Sequence, residues 1–420
     1  VLLTYTDMKD AILSNLDNPG QLERLYRDDK TTFKRAFRSL SPELKDNTLV
    51  AFWNERLNFA REEVSLVTAR DLAFVIIASL LAGMIAKLPA IAGINEEFFY
   101  TRNAGFIVFP VLTAYFAWKN NISTGKIAFI ATTNLAGILF INLLPEDQKS
   151  DTLILSCIHL VLFLWCILGF AFTGDAPNKL NERLGFLKYN GDLVVITTLI
   201  VIAGGIMTAI TINLFSLIGL NIEQFYFKYI VITGLPAAPI IGTYLTQLNP
   251  NLVGKVSPVI ARIFSPLVLV MLVIYLIAIA FSGKDPYNDR EFLLFFNALL
   301  VGVMAIIFFS VAESSRPKSK PENWILFLLS MVTIIVNGIA LSAILFRISE
   351  WGLTPNRLAV LGGNILILVN LLFVTAHLFR VVKKKAEVNQ VGNAIVFFLP
   401  VYFGWTIIVT FLFPFIFGFK

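Results

Sequence analysis

Two cysteines and two histidines are all that 420 residues contain of the side chains that most often hold metals or carry redox chemistry. Cys157 and Cys166 stand nine positions apart in one apolar stretch. That spacing puts them on opposite faces of a helix, where they cannot bridge each other. Neither belongs to a C-x-x-C pair or a Cys/His ligand spacing, and His159 and His377 are too few for a histidine-rich metal cluster. A nucleophile elbow, a Gly-rich phosphate loop and paired carboxylates inside an apolar run are also lacking, so no cofactor is expected. Charge is scarce as well, at 15% of residues against 57% hydrophobic, with a mean hydropathy of +0.75. The net charge of +6 does not call for a nucleic-acid partner, because the basic residues are placed as membrane anchors facing anionic headgroups.

What is present is a succession of about eleven apolar stretches, each of roughly 15 to 25 residues, the length a helix needs to cross a bilayer. They run from Leu72 to Leu88, Ala104 to Trp118, Ile127 to Leu144, Leu153 to Phe172, Leu193 to Leu217 and Phe225 to Leu248. Five more follow at Val259 to Phe281, Phe292 to Val311, Trp324 to Phe346, Leu358 to Phe379 and Ala394 to Phe417. The fold class is therefore all-α: a polytopic membrane bundle over residues 71–420, preceded by a small cytoplasmic helical module over residues 1–70. No cleavable signal peptide is expected, since about 70 polar residues precede the first apolar run and no small-residue cleavage site closes it.

Lys and Arg fill alternate loops. Lys179, Arg183 and Lys188 mark one such loop, Arg316, Lys318 and Lys320 another, and Arg380 with Lys383, Lys384 and Lys385 a third, while the intervening loops are poor in basic residues. Short basic loops stay in the cytoplasm, which places the amino terminus inside and Lys149 and Lys420 outside.

In the first 70 residues, Asp7 is expected to cap a helix, Asp17-Asn18-Pro19-Gly20 to turn, and Ser41-Pro42 to start a later helix. Leu22, Leu25, Tyr26, Phe33, Phe37 and Leu40 are the expected inward positions. This module carries no catalytic pattern, and docking of a cytoplasmic partner is its functional reading.

Three runs carry a resemblance: Asp17-Asn18-Pro19-Gly20-Gln21-Leu22-Glu23-Arg24-Leu25-Tyr26-Arg27, Phe52-Trp53-Asn54-Glu55-Arg56-Leu57-Asn58, and Trp351-Gly352-Leu353-Thr354-Pro355-Asn356-Arg357. In these the chain resembles the bacterial polytopic membrane proteins grouped as domain of unknown function 4153. The resemblance implies a location in the bacterial inner membrane and implies no substrate or reaction.

Polar residues inside apolar spans disfavour lipid and mark candidate sites. In the tenth span Asn356, Gly363, Asn370 and His377 recur every seven residues, with Asn364 one step round the helix. In the ninth, Ser330, Thr333, Asn337, Ala340 and Arg347 share a face, so Asn337 and Asn370 are expected to meet or to line one cavity. The same residues would also serve as hydrogen-bonding and close-packing contacts between helices. His159, with Ser156 a turn away, is the deeper histidine and a candidate proton carrier. Pro236 and Pro239, after Gly234, should break the sixth span near mid-membrane and free carbonyls for a solute or ion. Thr197, Gly204, Thr208 and Thr211 on the fifth span are the expected packing surface for that break. Thr354-Pro355 reads as a helix start, which puts Arg357 in a first turn where the dipole disfavours a cation. Glu350 is the expected compensation, and Arg347 with Arg357 a candidate site for a lipid phosphate or acidic substrate.

These features fit a permease-like protein binding a small solute or lipid. They also leave two alternatives: a periplasmic-face enzyme modifying lipid or sugar through Glu96 or Glu97, and a membrane scaffold or sensor recruiting a partner through residues 1–70. The bilayer itself is the one partner every reading shares.

Overall fold

The computed structural model describes residues 5–40, 49–50, 52–53, 56–57, 69–147, 149–176, 179–217, 220–248, 265–274, 276–277, 290–312 and 320–420. The described residues are helical with short connections and no strand. The chain divides into two compact units, Val1–Thr68 and Ala69–Lys420.

In the first unit α1 (Tyr5–Ser14), α2 (Pro19–Asp28) and α3 (Lys30–Leu40) enclose Met8, Ile12, Leu22, Phe33 and Phe37. Trp53 completes this core, its ring 5.1 Å from Phe33 and 5.6 Å from Tyr26. The Asp17–Gly20 run is a helix start: Asn18 accepts a hydrogen bond from the Gln21 amide and Pro19 takes the first helical position. Asp7 lies within the first turn of α1 instead of capping it. Leu25 and Tyr26, expected inside, pack at the edge of the cluster. Glu23 pairs with Arg56 and with Arg27, each at 2.9 Å, and the Arg56 guanidinium lies over Trp53, which ties the later segment back to α2. The helix start read at Ser41-Pro42 lies outside the described residues.

The second unit begins with α4 (Ala69–Ala92), α5 (Glu96–Lys119), α6 (Thr124–Leu143), α7 (Asp151–Thr173) and α8 (Lys179–Leu217). The sixth expected span is two helices, α9 (Glu223–Gly234) and α10 (Ala237–Leu248), bent by 41°. After α11 (Ser265–Ile274) and α12 (Arg290–Ala312) come α13 (Lys320–Trp351), α14 (Pro355–Val382) and α15 (Gln390–Ile416). Most of the stretch read as a span from Val259 to Phe281 lies outside the described residues.

Seven of these helices are long and apolar enough to cross a membrane, and eight if the bent pair is one span. Arg102 and Asn103, buried within α5, keep that helix out of the set by apolarity although its 24 residues would reach across. Two apolar cores hold the unit. One gathers α4 to α7 around Phe106, Phe163 and Leu164, and the other gathers α12 to α15 around Ile307, Leu329 and Val374. Large apolar side chains such as Leu80, Ile206 and Ile335 are exposed instead of buried, as expected of helices whose outer faces meet hydrocarbon.

Two devices lock α5 to α6. Asn103 and Asn142 exchange amide hydrogen bonds of 2.9 and 2.8 Å, and the Arg102 guanidinium donates to the carbonyls of Ile141, Leu144 and Pro145 at the carboxyl end of α6. A cation is favoured there by the helix dipole. At the other end of α6, Lys126 pairs with Asp175 and donates to the Gly174 carbonyl at 2.7 Å. The hydrogen bond from Lys126 is the main reason that the exposed Asp175 carboxyl titrates below its ordinary value.

Candidate functional site

The helix pair α13 and α14 carries the polar residues picked out in the sequence. Ser330, Thr333, Asn337 and Ala340 of α13 are all fully buried, so the three- and four-residue spacing does define its inward face. On α14 the buried line is displaced by one position. Of Asn356, Gly363, Asn370 and His377 only Asn370 is buried, and the inward line runs through Asn364, Leu371 and Leu378. The physical reason is that α14 is covered by α13 on one side and α15 on another, and apolar packing on both sets its rotation.

Asn337 and Asn370 both point inward, yet they bond to different neighbours. Asn337 donates through Nδ2 to the backbone carbonyl of Asn364 at 3.2 Å, and the Asn364 amide donates to Oδ1 of Asn297 on α12 at 2.9 Å. Asn370 donates to Tyr402 Oη of α15 at 3.2 Å, and that hydroxyl reaches the Leu366 carbonyl at 3.4 Å. Four helices thus meet in one polar layer near the middle of α13 and α14, in which Asn337, Asn364 and Asn370 are buried and Asn297 and Tyr402 half-buried. Two acceptors in it are left over: Oδ1 of Asn337 and Oδ1 of Asn370 have no hydrogen-bond partner among the described residues. Turning the Asn370 amide over would pair its oxygen with Tyr402 and strand its nitrogen instead, so one polar atom stays unsatisfied either way. A buried unsatisfied acceptor disfavours the folded state by roughly 1 to 3 kcal/mol.

The helix break stands where the prolines place it. Gly234 ends α9, Leu235 and Pro236 form the turn, and Pro239 lies in the first turn of α10, where a missing amide is tolerated. The Leu235 carbonyl receives the Ala238 amide at 3.2 Å. Contact with α8 is made at Thr197, which meets Gly242 of α10, whereas Gly204 has nothing near it and Val201 to Met207 are all exposed.

The histidines are apart from this layer. His159 Nδ1 lies 2.9 Å from the Leu155 carbonyl and His377 Nδ1 lies 2.9 Å from the Phe373 carbonyl, each one turn back on its own helix. Ser156 donates to the Thr410 carbonyl of α15 and so is not a partner of His159. At the end of α13, Thr354 caps α14 by accepting the Arg357 amide. The cation at that helix start is compensated by carbonyls and not by Glu350, which is exposed: Arg357 Nη1 donates to Trp351 and Gly352 at 2.8 and 2.6 Å. Arg347 does join Arg357 here, their guanidinium carbons 5.2 and 5.7 Å from the Trp351 ring.

No family model, curated protein or solved structure matches this chain. The site is therefore read from its own chemistry. Among the described residues, no group of three or more His, Cys, Asp or Glu side chains is placed to hold a metal ion.

Sequence reasoning missed a second polar cluster. Asp71 of α4 is buried, Tyr115 of α5 donates to it at 3.3 Å, and Lys119 donates to Tyr115 and to Gln247 of α10 at 3.2 and 3.1 Å. Nearby, the hydroxyls of Tyr189 and Thr243 lie 2.8 Å apart and join α8 to α10. Asp71 and Lys119 are at the ends of apolar runs, where charge reads as an ordinary flank. Their four-residue and longer spacings carry no signal of the meeting.

Proposed function

We propose that this is a multi-pass membrane protein of permease type that binds a small polar solute in the layer formed by Asn297, Asn337, Asn364, Asn370 and Tyr402. The observation that carries this reading is the pair of buried amide oxygens, on Asn337 and Asn370, that no described protein group satisfies. A solute with hydrogen-bond donors, or a file of water, would satisfy both in the middle of the bundle. The break at Pro236 supports the reading as a second place where a helix gives up regular hydrogen bonding inside the apolar unit. In the same proposal the Arg347–Trp351–Arg357 cluster draws an anionic group to the end of α13.

The proposal extends to about eleven crossings in a bacterial inner membrane, with the amino-terminal module cytoplasmic, the carboxyl terminus periplasmic, and membership of the family named above. Its support is that α5, α11 and α12 coincide with stretches read as spans, and that basic residues keep their alternation throughout. Single cysteines in a background without Cys157 and Cys166 test the orientation. An impermeant thiol reagent should label Lys149→Cys in intact cells and leave Lys383→Cys untouched; the reverse pattern rejects the orientation.

For the site itself, Asn337→Cys and Asn370→Cys in that background should react with a small, membrane-permeable polar thiol reagent, because a solute path must admit water. Asn370→Leu should change thermal stability by less than about 1 kcal/mol, since one weak membrane hydrogen bond and one unsatisfied acceptor disappear together. Two unreactive cysteines would show that the layer is dry packing and overturn the reading.

A further inference from the structure

We infer that Lys87 and Lys228, both beside the Tyr229 ring, together hold the phosphate of a lipid headgroup at the bilayer surface where α4 ends and α9 begins. Lys87 is five residues short of the end of α4 and is only 8% exposed. A lysine in an apolar helix usually turns its ammonium out to water. Here it instead lies 4.3 Å from the centroid of the Tyr229 ring, and Lys228 lies 5.9 Å from the same ring. Neither lysine has a carboxylate partner among the described residues, and Glu223, at the start of α9, is exposed and pairs with neither.

The arrangement is fixed by backbone packing and is not a chance meeting of surface chains. A Cβ on Gly83 would stand 2.9 Å from the Thr233 carbonyl oxygen, so α4 and α9 touch through their backbones one turn from the Lys87–Tyr229 contact. The antiparallel register that sets Gly83 against Thr233 sets Lys87 against Tyr229. Tyr100 of α5 donates to the Ala86 carbonyl at 2.8 Å and holds that turn of α4 from the other side. The π-helical turn Tyr226–Val231 carries both Lys228 and Tyr229.

An aromatic face attracts a cation but does not neutralise it. Two ammonium groups on one ring repel each other until an anion lies between them, and a phosphate offers oxygens to both. Both lysines stand five residues inside a helix end, about 7 Å along the axis, which is comparable to the thickness of the headgroup layer on one side of a bilayer. The surroundings favour a lipid over free phosphate: Phe227 and Ile230 are each 48% exposed beside the site and offer a surface for acyl chains.

The test uses the full chain in nanodiscs of phosphatidylcholine with and without phosphatidylglycerol, reading thermal stability and the lipid retained in native mass spectrometry. Phosphatidylglycerol should be retained and should raise the melting temperature. Lys228→Gln should weaken retention about fivefold, and the double change with Lys87→Gln about twenty-five-fold, from about fivefold per lysine. Tyr229→Leu should weaken it less than either lysine change. If the double variant does not fold, Lys228→Gln alone decides, since Lys228 is exposed. Unchanged phosphatidylglycerol dependence in Lys228→Gln overturns the inference. Equal protection of the wild type by inorganic phosphate in pure phosphatidylcholine overturns the lipid source.

Discussion

Arg102→Ala is expected to destabilise the membrane unit by about 3 kcal/mol. Arg102 is 4% exposed, and three carbonyls at the end of α6 depend on its guanidinium, with donor distances of 2.5, 3.0 and 3.1 Å. Its carbon also sits 4.5 Å from the Phe98 ring. Truncation removes all of these donors from a place that water reaches poorly, so the acceptors are left with nothing in exchange. Arg102→Lys should recover part of the loss, because an ammonium supplies a charge but not the planar fork that spans Ile141, Leu144 and Pro145. Unfolding in graded denaturing detergent measures both variants. An Ala variant within about 0.5 kcal/mol of wild type, the size of an ordinary surface substitution, would refute the capping role.

Gly362→Leu should have the next largest effect, a loss of about 1 to 3 kcal/mol from overpacking. A Cβ at this position would lie 2.1 Å from the Trp405 ring, so α14 and α15 approach each other only because residue 362 has no side chain. The neighbouring Gly363 has nothing within 4 Å, and Gly363→Leu is the matched control, expected to be mild. Because Trp405 is the obstacle, Trp405→Ala placed with Gly362→Leu should be less harmful than the two separate losses added together. A strictly additive pair would mean that the clash is relieved elsewhere and that the contact does not set the α14–α15 spacing. The same spacing determines whether Asn370 reaches Tyr402, so Gly362→Leu should also change the reactivity of a cysteine at Asn370.

The candidate site was half legible. On α13 the repeat of Ser330, Thr333, Asn337 and Ala340 identified the inward face correctly, because a helix with small and polar residues on one side and large apolar residues elsewhere turns its small side to neighbours in lipid. On α14 the line Asn356, Gly363, Asn370 and His377 meets the buried face only at Asn370, while Asn364, read as one step round the helix, lies on the buried line with Leu371 and Leu378, and the close approach to α15 falls at Gly362. A seven-residue repeat fixes a direction only approximately, since an α-helix drifts by roughly 20° per heptad, about 60° over the three heptads from Asn356 to His377. Tyr402 and Asn297, which complete the layer, sit in spans whose own patterns single out neither.

The amino-acid sequence by itself determined that the chain is helical, that successive apolar helices are long enough for a bilayer, and that the sixth is broken at Gly234–Pro236. These follow from local rules: the hydrogen-bonding needs of a backbone in hydrocarbon, and a proline ring that cannot donate. Only the tertiary structure decided what each buried polar group meets. Arg102 could have been an interfacial anchor and Lys87 a snorkelling chain, and Arg357 could have been compensated by Glu350. Their partners are the end of α6, the ring of Tyr229 and the end of α13, brought near by packing between helices that are distant in the chain or reversed in direction. A charge reports locally that it must be compensated; the compensating group is set by which helices lie side by side, and that depends on apolar shape across the whole bundle.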